Sequence, residues 1–209
     1  MRFFVRVIAV LLTCLAIPAH ALLIDFTSST WSGVSGSMAG RNISGIAVTL
    51  SASGGSLTFN AADNAGCLGS AGAAGVPLAC AGDGIGIGDD EVTNGNERLS
   101  VTFANPVDVL EIYLLDLFNN QQEQEMARIS VTMNGAPTAV FDRNGGTDSG
   151  GFIITGITRN NVTQILFEAI GRQSDFSLAA ISISVPEPGT LVLLGTGLLG
   201  LGLMRRKAR

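Results

Sequence analysis

The chain alternates apolar and polar positions over short runs, which is the pattern of half-buried β-strands. In Leu99–Phe103 and Ile129–Met133 every second residue is apolar. Asn134-Gly135 lies between two strand-like runs and is the sharpest hairpin signal in the chain. Because no long helical periodicity interrupts the runs, the pattern predicts an all-β fold, an antiparallel β-sandwich of jelly-roll type. The ten predicted strands are 22–26, 45–50, 56–59, 98–103, 107–115, 127–133, 138–141, 151–154, 162–168 and 176–183.

The segments between these runs are polar or rich in small residues. We expect long surface loops over 33–45 and 54–88. The stretch 119–127 (NNQQEQEMA) is too short and polar to be more than a loop or a single turn. Ser184-Val185 is expected to be a short linker after the last strand. The roughly 160 residues from 22 to 184 are enough for one extracellular domain with its own core.

The N-terminal residues 1–21 have the three parts of a secretory signal peptide. Met1–Arg6 is short and basic, Val7–Ile17 is apolar, and Ala19-His20-Ala21 fits an A-x-A cleavage site. The apolar run is too short for a permanent transmembrane helix. The sequence therefore predicts export by a Sec-type route and a mature chain that begins at Leu22.

Residues 185–209 form a second distinct end, with three parts in a fixed order. Pro186-Glu187-Pro188 cannot belong to a helix interior or a central strand. Gly189–Met204 is an uncharged run that predicts a single transmembrane helix, although its 16 residues fall short of the roughly 20 that span a bilayer comfortably. A basic end follows and would stay on the cytoplasmic side, so that it stops translocation. Its cationic residues are Arg205, Arg206, Lys207 and Arg209. The alternative is a plain C-terminal membrane anchor.

This tail resembles the PEP-CTERM sorting signal of Gram-negative bacteria in its tripeptide, its Gly/Leu-rich helix and its terminal Arg cluster. The resemblance implies an inner-membrane intermediate that an exosortase cuts near Pro186–Pro188. It also implies a mature protein at the cell surface or outside the cell, in a host that makes exopolysaccharide and forms biofilms or flocs.

Charge changes the picture once the two ends are removed. The whole chain has a formal net charge of −5. Residues 22–185 contain six Arg, no Lys and 16 Asp and Glu, which gives −10. Binding of nucleic acid is therefore disfavoured, because it needs a basic face. An acidic exported body suits cation binding or neutral ligands such as glycans.

The mature chain has no histidine and only two cysteines. His20 leaves with the signal peptide, which excludes Ser-His-Asp and Cys-His catalysis and His-ligated zinc or iron. Cys67 and Cys80 are expected to form a disulfide, since one Cys pair in an exported chain favours it. A redox or metal role is the alternative for the pair. Closing this loop corresponds to about 3 kcal/mol of stabilisation.

The densest polar cluster is Gly82–Glu91 (GDGIGIGDDE). Four carboxylates crowd there, and a Ca²⁺ ion among them would relieve their mutual repulsion. The predicted ligands are Asp83, Asp89, Asp90 and Glu91. Asp116 or Asp175 could add a further ligand from across the sandwich. The alternative is a solvated Gly-Asp turn whose carboxylates bond nearby amides.

Two classes of function remain open for the body. The first, which we favour, is a structural or adhesive matrix protein associated with exopolysaccharide. The second is a carbohydrate-active enzyme that uses two facing carboxylates. It is disfavoured because sugar-cleaving clefts usually need aromatic platforms, and the chain has one Trp and one Tyr. The formal candidates for such a pair are Asp89, Asp90, Glu91, Glu97, Asp116 and Glu168.

Overall fold

The computed structural model describes residues 20–60, 64–120 and 124–185. Most of the predicted signal peptide and the whole tail from Pro186 onward lie outside them. Within them, Leu22–Ile183 forms one compact unit. Its helices are a 3-10 turn at Ser29–Trp31 and an α-helix, α1, at Asn64–Ala73. The strands are β1 His20–Asp25, β2 Met38–Ile43, β3 Ile46–Ser53, β4 Leu57–Asn60, β5 Gly84–Ile87, β6 Arg98–Leu115, β7 Met126–Met133, β8 Ala139–Asn144, β9 Ile153–Ile154, β10 Arg159–Ile170 and β11 Ser177–Val185.

The strands form one continuous hydrogen-bonded system whose main path is β4-β5-β11-β6-β10-β7-β8. β1 pairs with β11, and β3 and β9 pair with β6, while β2 pairs with β3. The recorded registers are antiparallel, for example Ile129 opposite Phe167 and Val101 opposite Ile165. The prediction of an all-β antiparallel fold is confirmed, in the form of an open sheet, whereas the jelly-roll sandwich stays a prediction.

The core follows from the alternation of the strands. In β7 Ala127, Ile129 and Val131 are fully buried, and the residues between them are partly exposed. Because burying a large apolar side chain contributes about 1.5–3 kcal/mol, this stripe fixes which face of β7 turns inward. Trp31 in the 3-10 turn is also fully buried, with its ring centroid 5.0 Å from that of Phe26.

Two predicted strands are one in the structure. β6 runs without a break through Asn105-Pro106, where the sequence had predicted a turn. The pairing with β10 is irregular at this point: Thr102 lies opposite Gln164 but Val107 lies opposite Val162, so extra residues bulge from β6. A proline without an N–H is tolerated at such a bulge because no ladder hydrogen bond is required of it.

The prediction of two long loops was wrong in part. Residues 33–45 contain β2, which pairs with β3 through a turn at Ser44-Gly45 where both residues have positive φ. This is the geometry that closes a two-residue hairpin. Residues 54–88 contain β4, which was predicted, and also α1 and β5, which were not. Ala has the highest helix propensity, and the burial of Cys67 and Ala71 gives α1 an apolar side.

The predicted linker Ser184-Val185 is also absent, because β11 continues to Val185. The ordered sheet therefore reaches the residue immediately before Pro186. In the region 119–127, Asn119 and Gln124 form an isolated β-bridge. The last two residues of this region are the first two of β7. None of the helices in the described part of the chain is long and apolar enough to cross a membrane.

Candidate functional site

The acidic segment after β5 is held by close backbone packing. All four residues of β5 are buried, and its glycines alternate with isoleucines. A Cβ atom on Gly86 would overlap the backbone of Asp90, so only glycine fits there. The Ile87 amide donates to the Glu91 carbonyl at 3.0 Å. The chain therefore folds back on β5 and carries Glu91 toward the sheet.

Long-range pairing brings Glu91 next to a second acidic segment. The Val92 amide donates to the Phe176 carbonyl, and the Asn94 amide to the Ser174 carbonyl, both at 2.8 Å. Asp175 lies between these two acceptors, and its negative charge acts on Glu91. The two acids are 84 positions apart in sequence, and only the fold relates them.

Two further acids come from the end of β6 and the start of β7. Asp116 follows β6 in the left-handed region, with φ +57°, and its amide donates to the Gly150 carbonyl at 2.9 Å. Glu125 is buried and accepts from the Phe118 amide at 2.5 Å. The Met126 amide donates to the Ser174 hydroxyl at 3.1 Å, which ties this segment to that of Asp175. We name Glu91, Asp116, Glu125 and Asp175 the acidic cluster.

In the acidic cluster the pKa of Glu91 is raised strongly. The pKa of Glu91 is raised from 4.5 to about 8, mainly by burial and then by the negative charges of Asp175, Asp116, Asp90 and Glu125, in that order. A carboxyl group in this setting keeps its proton at neutral pH unless a cation compensates the charge. Chemically, such a group can donate a proton as a general acid or remain a neutral hydrogen-bonding partner.

The four predicted calcium ligands are placed differently from one another. Asp83 is buried beside the start of β5, Asp89 is exposed, and Asp90 and Glu91 are partly buried. The Asp90 amide donates to the Asp89 carboxylate at 3.1 Å, a bond that the solvated-turn alternative predicts. Among the described residues, no group of three or more His, Cys, Asp or Glu side chains is arranged to hold a metal ion. The calcium hypothesis gains no geometric support and stays a prediction.

Besides Asp89 and Asp90, the acids proposed for a catalytic pair divide into two sets. Glu97 accepts from the Thr93 amide at 2.7 Å and closes a turn, and Glu168 accepts from the Arg98 guanidinium at 2.7 Å. Both carboxylates are thus engaged in structural contacts. Glu91 and Asp116 do come together, and Asp175 joins them. Glu125 was missed because its surroundings read as a polar loop, and a buried acid in such a stretch leaves no sequence signal.

The predicted disulfide between Cys67 and Cys80 is present, with the two Cα atoms 5.8 Å apart. It joins α1 to a segment that is also held by hydrogen bonds. The Ala79 amide donates to the Asp25 carboxylate at 2.7 Å, and the Cys80 amide donates to the Thr27 hydroxyl at 2.9 Å. The disulfide packs in a buried cluster formed with Ala71, Leu115, Phe152 and Ala179. Its role here is to attach the small-residue segment to the sheet.

Comparison with known families identifies the tail. Residues 184–207 match the family described as the PEP-CTERM protein-sorting motif, which confirms the resemblance seen in the sequence. The match includes Pro186–Pro188 and the basic residues up to Lys207, all outside the described residues. No curated protein and no solved structure matches the chain. The match implies an exported protein of the cell envelope or surface that an exosortase processes.

Proposed function

We propose that this chain, whose tail is a PEP-CTERM protein-sorting motif, is a structural or adhesive protein of the extracellular matrix that associates with exopolysaccharide. The observation that carries the proposal is the family match at residues 184–207. The body supports it: an acidic, histidine-free antiparallel β-structure with a disulfide suits a durable exported module. In this proposal the strands close into a jelly-roll-like sandwich of residues 22–184.

Processing at both ends completes the proposal. A signal peptidase removes residues 1–21 after the Ala19-His20-Ala21 site. The Gly189–Met204 run then holds the chain in the inner membrane of a Gram-negative host, with the basic residues Arg205–Arg209 inside. Exosortase cleavage near Pro186–Pro188 releases the body to the surface, where it becomes part of a biofilm.

Intact-mass analysis and cell fractionation test this route. The wild-type protein should appear at the surface with the mass of a chain that lacks both residues 1–21 and the tail. Replacing Pro186 and Pro188 with Ala should leave a heavier chain in the inner membrane. Pro137→Ala, which changes an exposed proline in the loop between β7 and β8, is the matched control and should be processed normally. A surface-located wild-type chain that still contains the tail would contradict the proposal.

Association with exopolysaccharide is measured separately. The wild-type protein should sediment with polysaccharide purified from its own host and should not release soluble sugar from it. A wild-type protein that is processed normally but does not sediment with the polysaccharide would contradict the matrix role and leave the sorting route unaffected.

The second candidate function is a carbohydrate-active enzyme. The observation that favours it is the raised pKa of Glu91, about 8, beside Asp175 and Asp116. A protonated acid next to ionised ones is the division of roles that glycoside hydrolysis requires. The test is release of reducing sugars from the host polysaccharide. Turnover that Glu91→Gln abolishes, with Glu168→Gln as the control, would replace the matrix proposal by this one.

A further inference from the structure

Two arginines converge on one aromatic ring at the open edge of the sheet. The guanidinium carbon of Arg159 lies 4.6 Å from the ring centroid of Phe141, and that of Arg143 lies 5.6 Å from it. Phe141 and Arg143 belong to β8, which ends the strand order, and Arg159 begins β10. All three side chains are half-buried. Contact with the ring fixes the two cations in place, because its face attracts positive charge.

The hydrogen bonds of these arginines go to backbone carbonyls and leave most of their donors unused. Arg143 donates through Nε to the Thr155 carbonyl at 2.6 Å and through Nη1 to the Asp142 carbonyl at 2.9 Å. Arg159 donates through Nη1 to the Thr158 carbonyl at 2.7 Å. A guanidinium group has five N–H donors in a planar fork. Each group therefore keeps donors that can bind an anion.

The carboxylates near by form their close contacts with groups other than this pair. Among the described residues, the salt bridges to carboxylates are those of Arg98 and Arg128, and neither involves Arg143 or Arg159. Asp142, the residue before Arg143, interacts electrostatically with Arg143, but both of its carboxylate oxygens accept from the Arg128 guanidinium. Two further acids, on β6, are bound to backbone amides. Glu111 accepts from the Gly156 amide at 2.7 Å, and Asp108 accepts from the Asn161 amide at 2.9 Å. Both guanidinium groups therefore keep N–H donors for a carboxylate from outside the chain.

We propose that Phe141, Arg143 and Arg159 form a binding site for the carboxylate groups of an acidic polysaccharide, one that contains uronic acid residues. This inference rests on the proposed association with exopolysaccharide and names the chemistry and the place of contact. Carboxylates match the fork of a guanidinium group bidentately, which gives both affinity and orientation. The body's negative charge does not prevent binding, since repulsion beyond about 8 Å is screened at physiological ionic strength.

The test measures binding of the full-length protein, in mild detergent, to polygalacturonate and to neutral dextran. Wild type should bind polygalacturonate and not dextran, with an affinity that falls as salt rises. Arg143→Gln with Arg159→Gln should weaken binding at least about tenfold, because charge-assisted hydrogen bonds are lost. Arg41→Gln with Arg172→Gln removes the same charge from two other guanidinium groups, which form no salt bridge among the described residues, and should bind as wild type does.

A second pair of variants separates binding from folding. Arg143→Lys with Arg159→Lys keeps both charges but loses the fork, so it should bind between wild type and the Gln variant. The melting temperature of every variant is measured to identify any that fail to fold. If the Gln double variant does not fold, the Lys double variant alone decides the inference. A purely structural patch would lower the melting temperature and leave affinity and its salt dependence unchanged.

Three results would overturn the inference. They are equal binding by the Gln variant and wild type, equal binding of dextran and polygalacturonate, and no binding of polygalacturonate by wild type. The proposed function is tested by a different result: it fails if wild type does not bind the polysaccharide of its own host.

Discussion

Replacing Glu91 with glutamine should make the protein more stable at alkaline pH and leave it unchanged in acid. The pKa of Glu91 is raised from 4.5 to about 8, first by burial and then by the neighbouring acids, of which Asp175 contributes most. Between about pH 4.5 and 8 the folded protein therefore keeps a proton that the unfolded chain has released. Because the unfolded state binds fewer protons, stability falls as the pH rises through this window.

The size of the effect follows from the difference between the pKa of Glu91 in the folded and in the unfolded chain. At about 1.4 kcal/mol per pH unit, the full difference corresponds to roughly 5 kcal/mol. Glu91 is only partly buried, so solvent and salt reduce this value, and we expect about 2 kcal/mol above pH 8. Glutamine has the same shape and no charge, so Glu91→Gln should recover this amount at pH 9 and nothing at pH 4.

The assay is urea unfolding of wild type, Glu91→Gln and Asp142→Asn at pH 4, 6 and 9. Asp142→Asn is the matched control, since it also removes one carboxylate. The Arg128 guanidinium lowers the pKa of Asp142 through a hydrogen bond, so its contribution is present above its ordinary pKa and is lost on acidification. Its removal should have the opposite pH dependence and, because the pair is exposed, a small effect.

Equal stability of Glu91→Gln and wild type at pH 9 would refute the assignment of a destabilising buried charge. The same titration in millimolar calcium tests the predicted metal site. A cation near Glu91 would remove the alkaline loss of stability from wild type and do nothing to Glu91→Gln. Coincident wild-type curves with calcium and with EDTA, at constant ionic strength, would leave the acidic segment as a solvated turn.

Two other predictions concern stability alone. Replacing Cys67 and Cys80 with Ser should lower the free energy of unfolding by about 3 kcal/mol in urea, as expected for opening a loop of this length; a loss below about 1 kcal/mol would show that the hydrogen bonds of the segment suffice. Gly86→Ala should destabilise severely or prevent folding, because its Cβ would overlap the Asp90 backbone. Gly72→Ala in α1 meets open space and should be neutral or stabilising, and similar melting temperatures for the two variants would contradict this reasoning.

Alternation of apolar residues predicted the strands that have one buried face, such as β7 and β10. It failed for a very short strand rich in glycine. In β5 two isoleucines alternate with two glycines that admit another backbone, and four such residues in a glycine-rich segment were interpreted as part of a loop. β2 was missed because none of its residues is buried. Its positions alternate between exposed and partly exposed, and Met38 is largely exposed. Such an edge strand is determined by its hairpin partner and only weakly by its own sequence.

The candidate site was predicted only as far as neighbouring residues define it. The local crowding of acids in Gly82–Glu91 was visible, and Asp116 and Asp175 had been named as acids from across the fold. Glu125 and the Arg143–Arg159 pair were not foreseen. Their positions depend on which strands lie side by side, and that order is set by packing between residues distant in sequence.

The position of β11 has a consequence for the timing of export. β11 lies between β5 and β6, so it occupies the middle of the sheet, yet it is the last of the described strands along the chain. A chain that crosses the membrane from its N-terminus delivers this strand last, and until then β5 and β6 present unpaired edges to one another and to other chains. Folding of the body is therefore completed only after Val185 has crossed. In the proposed sorting route, a tail that halts translocation at this point would keep the incomplete protein at the membrane, away from other copies, while its central strand is inserted.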